Sequence, residues 1–463
     1  MDRASQIDQG RGAAVSPVSH QGPMDPANPG PSNRPSAPNP SQRISIQEHL
    51  RLVTSLCTAP STVTLPLAKC LGLTTSEPVT ARLEVPPFTN SAMDGFAVRF
   101  RDVSTATPDS PVTLPVIDDV PAGSPADQPL RPGTTQRIMT GARVPEGADT
   151  VVKVEDTNHA PGLRTAPRSV TIMQAPRAGA NIRHRGEALT VDDPVLPAGT
   201  ILTAEALSAA AAAGHGQLPV HPTPRVGILT TGSELCDAGD ELLRGRIPDS
   251  NGILLAGLVH SAGGIVTEQM RVPDDPIRLR QIVSSWQVDL IITAGGISMG
   301  AYEVVRQGLP ELTFHPVAQQ PGGPQGAGWI CSTPVVALPG NPVGVYTSFH
   351  VYVVPLLVRL RGLPSDAVCD GPGGARTSID PVLQRPVAHA CAATAWTSPR
   401  AKTQFMPVRW SPEGVAPVHP LGSKSHLVTS LPLVEGLAMV GPGIEHVSAG
   451  DELAILMTRR NCA

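Results

Sequence analysis

The sequence predicts a multidomain protein of the α/β plus β class. Three observations carry this. The chain has 463 residues, which at about 150 residues per domain makes about three domains. Strand-like apolar runs alternate with capped helical stretches between residues 224 and 362. Short β-runs without helical periodicity lie on both sides of that alternation.

Taken in order, residues 1–43 carry eight prolines among Ser, Asn, Gln and Gly. So few large apolar groups cannot offset the ordering entropy, which predicts a disordered tail. Ser45 and Glu48 form a Ser-x-x-Glu capping box opening a helix through Leu56. From 78 to 180 the expected strands are Phe96–Val98, Val112–Val116, Gln136–Met139, Thr150–Val154 and Ser169–Met173, a small β-rich domain. Thr203 caps a helix over Ala204–Ala213 that closes at Gly214.

The alternating region then runs as a strand at Arg225–Leu229 and a helix capped by Ser250 or Asn251 that ends at Gly263-Gly264. A strand at Ile265–Val272 follows, then a helix from Asp275 to near Trp286 and a strand at Asp289–Thr293. A short helix at Tyr302–Gly308, a strand at Val335–Leu338 and a helix at Val343–Leu360 complete it. Alternation of this kind predicts a parallel sheet covered on both faces, with ligands beyond the carboxyl ends of its strands. A Gly/Pro cluster at Gly371–Gly374 precedes a tail with strand-like runs such as Gln404–Val408 and Glu452–Met457, read as a small β-barrel or sandwich.

Composition narrows the function. The 51 prolines and 44 glycines are about a fifth of the chain, below the proportion of a wholly low-complexity sequence. A formal charge of −4 and only six Phe, three Tyr and four Trp give neither a basic footprint nor a stacking platform, which argues against nucleic acid. Seven scattered cysteines without C-x-x-C spacing argue against a disulfide framework or a structural zinc site. The most apolar run, Val351–Leu360, is interrupted by Pro355 and carries Arg359, so no membrane span is expected. The N-terminus lacks the apolar core of a secretion signal, and a cytoplasmic location is expected.

Four loops at strand ends carry the unusual chemistry. Thr230–Glu234 has Gly232 for a tight turn and leaves Ser233 and Glu234 at the ligand edge. In Pro273–Pro276, Asp275 caps the next helix and Asp274 is a spare carboxylate. Gly295-Gly296-Ile297-Ser298-Met299-Gly300, followed by Glu303, predicts an anion nest of backbone N–H groups with Ser298 beside them. Its spacing is neither a Walker A loop nor a dinucleotide fingerprint. Leu338–Pro342 is a rigid turn that brings Asn341 to the same edge. Glu234, Asp274 and Glu303 supply the hard oxygens that suit Mg²⁺ acting with a phosphorylated ligand. Elsewhere, Asn90–Gly95 holds Asp94, and Arg183–Glu187 is a basic cluster suited to phosphate or oxyanion.

Seven segments in order, Pro87–Val98, Arg137–Ala142, Pro145–Val151, Asn181–Glu187, Thr230–Leu235, the GGISMG loop and Leu338–Pro342, resemble the MoeA/gephyrin family of molybdopterin molybdenumtransferases over about residues 45–460. The resemblance implies an elongated four-domain homodimer. Its domains would be a discontinuous linker and dimerisation domain (44–86 and 181–222), a β-rich insertion (87–180), an α/β molybdopterin-binding domain (223–362) and a C-terminal β-barrel (372–463).

It also implies insertion of molybdate into adenylylated molybdopterin with release of AMP, assisted by Mg²⁺, in a cleft between the α/β domain of one subunit and the β-rich domain of the other. By motif match, Asp94, Thr140, Arg183 and Glu234 would be the catalytic set. Ser233, Gly295, Gly296, Ser298, Gly300, Asn341 and Glu187 would bind the ligand, and Glu234, Asp274 and Glu303 the metal. An adenylyltransferase would supply the substrate. The chain departs from the pattern at Ala188, where members often have an acid, and at Pro316, Gln320 and Gly323, where members carry lysines. Two alternatives stand beside the enzyme: a paralogue that binds molybdopterin or a partner protein without turnover, and a molybdopterin adenylyltransferase.

Overall fold

The computed structural model describes residues 43–57, 60–162, 165–298, 303–364 and 377–458. The tail expected over 1–43, apart from Arg43, lies outside the described residues, as do Met299–Tyr302 and the Gly371–Gly374 cluster.

Helix α1 (Ile46–Ser55) starts at the expected capping box: the Glu48 N–H donates to Ser45 Oγ and the Ser45 N–H to the Glu48 carboxylate. Its buried face, Ile46, Leu50 and Val53, joins the core of the α/β domain, and Ile44 exchanges backbone bonds with Pro316 and Ala318. The helix therefore packs with the α/β domain rather than with the linker domain in whose range (44–86) it falls. Its apolar stripe is covered there by the helices and strands of that core.

Strands β1 (Val63–Pro66), β2 (Thr74–Thr75) and β3 (Val79–Thr80) come next, followed by the insertion. The insertion holds β4 (Asn90–Ser91), β5 (Gly95–Val98), a four-residue α2 (Phe100–Val103), β6 (Val112–Val120), β7 (Thr135–Ile138), β8 (Thr150–Lys153) and β9 (Ser169–Ile172). Its sheet has the order β8-β5-β7-β6-β9. Beyond it come β10 (Ile182–Arg183), β11 (Pro194–Leu196), α3 (Ala204–Ala212) and β12 (Gln217–His221). Long-range pairing closes the linker region: β12 lies between β1 and β2, β11 pairs β3, and β10 pairs β4. Cys70, Val79, Leu202, Ala210, Leu218 and Val220 fill its core.

The α/β domain holds β13 (Arg225–Thr231), β14 (Leu235–Cys236), β15 (Ile247–Pro248), α4 (Ser250–Ser261), β16 (Ile265–Val272), α5 (Pro276–Ser285) and β17 (Leu290–Ala294). It continues through α6 (Val304–Gly308), β18 (Thr313–Pro316), β19 (Gln319–Gln320), β20 (Pro324–Ile330) and β21 (Thr333–Leu338) to α7 (Pro342–Ser348) and α8 (Val354–Leu360). The sheet order is β16-β13-β17-β21-β20-β18. The first four strands are parallel, but β20 runs antiparallel to β21 and β18 antiparallel to β20, a mixed sheet that corrects the expectation of a parallel one. Cys331-Ser332 is the cause: a two-residue turn joins only antiparallel strands. One face buries Val226, Ile228, Leu290 and Ile292 under α1, α4, α7 and α8. The other buries Leu229, Ile291 and Val335 under α5 and α6.

Two helix expectations are corrected. Asp249, not Ser250 or Asn251, caps α4, accepting from the Gly252 N–H. Between α7 and α8 the helix passes through π geometry at Phe349–Val353. Pro355 has no N–H to give the preceding turn and its ring crowds that turn's carbonyls, so widening lets the helix continue. Within Pro342–Leu360 eighteen consecutive residues have a mean hydropathy of 1.4, long and apolar enough to span a membrane, which Pro355 and Arg359 had argued against; 78% of those residues are buried inside the molecule. Its apolarity is that of a core helix.

The last domain comprises β22 (Thr377–Asp380), β23 (Arg385–Cys391), β24 (Trp396–Thr397), β25 (Thr403–Ser411), β26 (Gly414–Pro417), β27 (Gly436–Val440), β28 (His446–Val447) and β29 (Glu452–Met457). Strands β26, β25, β27, β29 and β23 pair in series, and a bridge between Ala392 and Val415 closes the ring. Strand β19 adds to β25 and stitches this barrel to the α/β domain.

Candidate functional site

Because β16, β13, β17 and β21 are parallel and in register at Arg271, Thr230, Ala294 and Leu338, the four chemistry-bearing loops leave the sheet at one edge. Gly295 and Gly296 hold φ of +97° and +64°. A Cβ on Gly295 would stand 2.6 Å from the Thr231 carbonyl oxygen, and one on Gly340 would stand 3.4 Å from the Gly295 Cα. The three loops therefore touch through backbone, which only glycine permits.

Hydrogen bonds tie this edge together. The Ser233 N–H donates to Asp274 Oδ2 (3.0 Å), and the Asp274 N–H donates to Ser233 Oγ (3.2 Å). Asp274 is therefore the clamp between two loops rather than a spare carboxylate. Asp275 caps α5 as expected, accepting from the Ile277 and Arg278 N–H groups. Glu234 is exposed and folds back over Gly232, where a Cβ would come 2.5 Å from its Oε2. Glu303 accepts from the Ser298 N–H at 2.6 Å, and the Gly295 N–H donates to the Leu338 carbonyl at 3.2 Å. Glu303 and the Leu338 carbonyl of β21 thus occupy two of the N–H donors expected to form an anion nest, because a backbone donor in a packed loop finds the nearest internal acceptor. Gly300 lies outside the described residues. Ser298 and Asn341 are exposed at the edge.

Three contributors went unread in the sequence. Asp249 accepts from Thr230 Oγ1 at 2.6 Å while capping α4. Asn251 donates to the Gly340 carbonyl at 2.6 Å. Arg306 donates to the Ile297 carbonyl at 2.9 Å and lies 4.7 Å over the Phe314 ring, pinning the glycine loop from behind. The Asp-Ser-Asn run before an apolar helix is an N-cap signal that picks out the first; no local signal marks the other two.

A second cluster sits in the β-rich domain. Asp94 precedes β5 and Thr140 follows β7; the antiparallel pairing of these strands brings both to one end. Asp94 Oδ1 accepts from the Thr140 N–H and from Thr140 Oγ, each at 2.7 Å. These two bonds, the backbone one foremost, hold the Asp94 carboxyl below its usual range. Arg183 stands opposite Asn90 in the β4–β10 strap and is exposed. The rest of its run is structural: Arg185 pairs with Glu84, and Glu187 accepts from the His184 N–H at 2.8 Å.

Among the described residues no three His, Cys, Asp or Glu side chains gather as a metal-binding group. Glu234, Asp274 and Glu303 are therefore not an all-protein cage. Glu234 and Asp274, two exposed carboxylates on adjacent loops, are hard oxygen donors of the kind that would hold a Mg²⁺.

A sheet with its ligand edge at the ends of four parallel strands, joined to a β-rich insertion and a barrel, defines a multidomain α/β plus β protein with its candidate site at the strand ends. Residues 44–214 match the MoeA N-terminal region (domain I and II), 227–359 a probable molybdopterin binding domain and 389–457 the MoeA C-terminal region (domain IV). Molybdopterin molybdenumtransferase 2 of Mycobacterium tuberculosis is 40% identical over 422 residues, 89% of this chain and 98% of that protein. The molybdopterin molybdenumtransferase of a Nostoc species is 35% identical over 338 residues, 71% of this chain and 76% of its own. The molybdopterin biosynthesis MoeA protein from Pyrococcus horikosii superposes with a TM-score of 0.73 at 26% identity, over 90% of this chain and all of that one. The chain belongs to the MoeA family of molybdopterin molybdenumtransferases.

Proposed function

We propose that this protein is a transferase of molybdenum cofactor biosynthesis that inserts molybdate into adenylylated molybdopterin and releases AMP. The observation that carries this is that one chain holds both the Asp94–Thr140 cluster and the clamped Ser233–Asp274 loops with Glu234 beside them, and that its family match spans all its domains.

At the α/β edge, Gly295 and Gly296 let the loops close on one another and so shape the floor beneath a ligand. Ser298 and Asn341 offer neutral hydrogen-bonding groups to it. Glu234 and Asp274 would hold Mg²⁺ beside the phosphates, with Glu303 fixing the loop that faces them. When bound, the metal supplies charge neutralisation at the phosphoanhydride. Arg183 offers a planar fork for an oxyanion, presented by the turn that Glu187 braces. Asp94, ionised and fixed by two bonds from Thr140, orients the groups that face it. The Asp94 and Glu234 clusters stand on separate sheets, and the reading places them together across a homodimer, with the substrate supplied by an adenylyltransferase. AMP release from adenylylated molybdopterin in the presence of molybdate and Mg²⁺ tests the proposal. No release beside an active relative sinks it.

One observation favours a second reading, a binding paralogue without turnover: the segment from Phe314 to Gly323 carries neither lysine nor arginine, and its Gln319–Gln320 strand is engaged in pairing with the barrel. Molybdopterin binding without AMP release is the outcome that selects it.

A further inference from the structure

A cavity of about 630 Å³ opens between the α/β domain and the barrel, lined by α1, the C-terminal end of α4, the α7–α8 helix and the Val382–Arg385 segment. It is remote from the candidate site. Asp249, at the N-terminal end of α4, belongs to the catalytic edge, whereas Ser261 and Ala262 at the other end line the cavity. The helix between them has 12 residues, about 18 Å of rise.

Four features describe what it takes. Its volume falls in the range of about 300–1,000 Å³ that small-ligand sites occupy, and such sites favour domain junctions. Leu50, Phe349, Val358, Leu383 and Met457 give it an apolar wall. Arg51, Arg359 and Arg385 line it, and among the described residues no Asp or Glu does. Arg359 reaches the Thr54 carbonyl at 3.4 Å and Arg385 the His350 carbonyl at 2.5 Å, so the cations are anchored at its wall by backbone oxygens.

The helix lining it turns to π geometry where Phe349 and His350 face the cavity, and π turns recur at functional sites. His350 is 6% exposed, and its Nε2 has no hydrogen-bond partner. A buried ring nitrogen at the wall of a cavity is a ready contact for a ligand's polar group.

We infer a second binding site here, for a small organic anion with an apolar or aromatic body: the anionic group meets the Arg51 and Arg359 guanidinium groups, and the body lies on Leu50, Phe349, Val358 and Leu383. A ligand so placed touches both domains and couples their packing.

The probe is anilinonaphthalene sulfonate, titrated by fluorescence into the full chain, with uncharged phenylnaphthylamine as its counterpart. The expected result is one saturable site per chain. Binding falls about tenfold or more in R51Q/R359Q, as expected for loss of charge-assisted contacts, and is lost in V358W, which fills the cavity. The uncharged analogue binds about tenfold more weakly. Arg51 is exposed, so R51Q alone keeps the test open if the other variants fold poorly; it weakens the sulfonate and leaves AMP release unchanged. Equal binding of the two probes, binding indifferent to the variants, or no saturable site overturns the inference. So does sedimentation showing that V358W splits a dimer, which makes this face an interface between copies.

Discussion

At the scale of single residues, Asp94 is the sharpest test. Its carboxylate is exposed, so its value lies in the charge that Thr140 positions rather than in packing. D94N is expected to lower the rate of AMP release by about a hundredfold or more, while the free energy of unfolding changes by less than about 1 kcal/mol. A large loss of stability with activity intact contradicts the role.

The buried histidines act on stability instead. His49 and His350 are held neutral, their pKa lowered from 6.5 to about 3 by burial, foremost, and by neighbouring positive charge. A lowered histidine pKa means that the folded state resists protonation. The stability they allow is complete above about pH 6.5 and is lost as pH falls toward 3, at about 1.4 kcal/mol per pH unit for each. Urea midpoints between pH 7.5 and 4.5 are expected to drop steeply. H49M should flatten that limb, because it removes one of the two groups that must be protonated; an unchanged slope counts against the account.

At the scale of elements, the site depends on how closely three loops meet. G295A places a Cβ at φ +97° and 2.6 Å from the Thr231 oxygen, so it is expected to cost about 2–4 kcal/mol. Because the clash pushes the ligand edge apart, activity should fall even at temperatures where the protein stays folded. Thermal melts and AMP release on the same sample check both. S45A removes one half of the α1 capping box and should cost about 1 kcal/mol, without change at the candidate site. These two variants separate an element that shapes chemistry from one that only holds the core.

At the scale of the molecule, the two clusters stand on different sheets of different domains. If the working cleft lies across two copies, chains carrying D94N and E234Q, each inactive alone, recover activity when refolded together. About a quarter of the wild-type rate is expected, since random pairing makes half of the dimers mixed and each of those carries one intact cleft. Recovery that fails while mixed dimers form in solution shows that each cleft is built within one chain.

Much of this was legible along the chain. The five strands of the insertion, the Ser45–Glu48 box and the parallel strands of the α/β domain each follow from a local pattern of alternation, capping or turn residues. The loops at the carboxyl ends of those strands carry Glu234, Asp274, Ser298 and Asn341, and their common edge follows from parallel topology alone. What the chain did not reveal are partnerships between residues distant in sequence.

Asp274 reads as a spare acid until Ser233, 41 residues away, is seen bonded to it. The Ser298 N–H reads as an anion donor until Glu303 occupies it, and α1 reads as part of the linker until its stripe meets the α/β core. The sequence by itself determined which segments become strands, helices and tight turns, and through its motifs the family, because those depend on neighbours a few positions apart. Only the tertiary structure decided which carboxylates are clamped and which stay exposed, where the sheet turns antiparallel, and that a cationic cavity lies between two domains. Burial and hydrogen-bond competition are set by groups that meet only when the chain has folded.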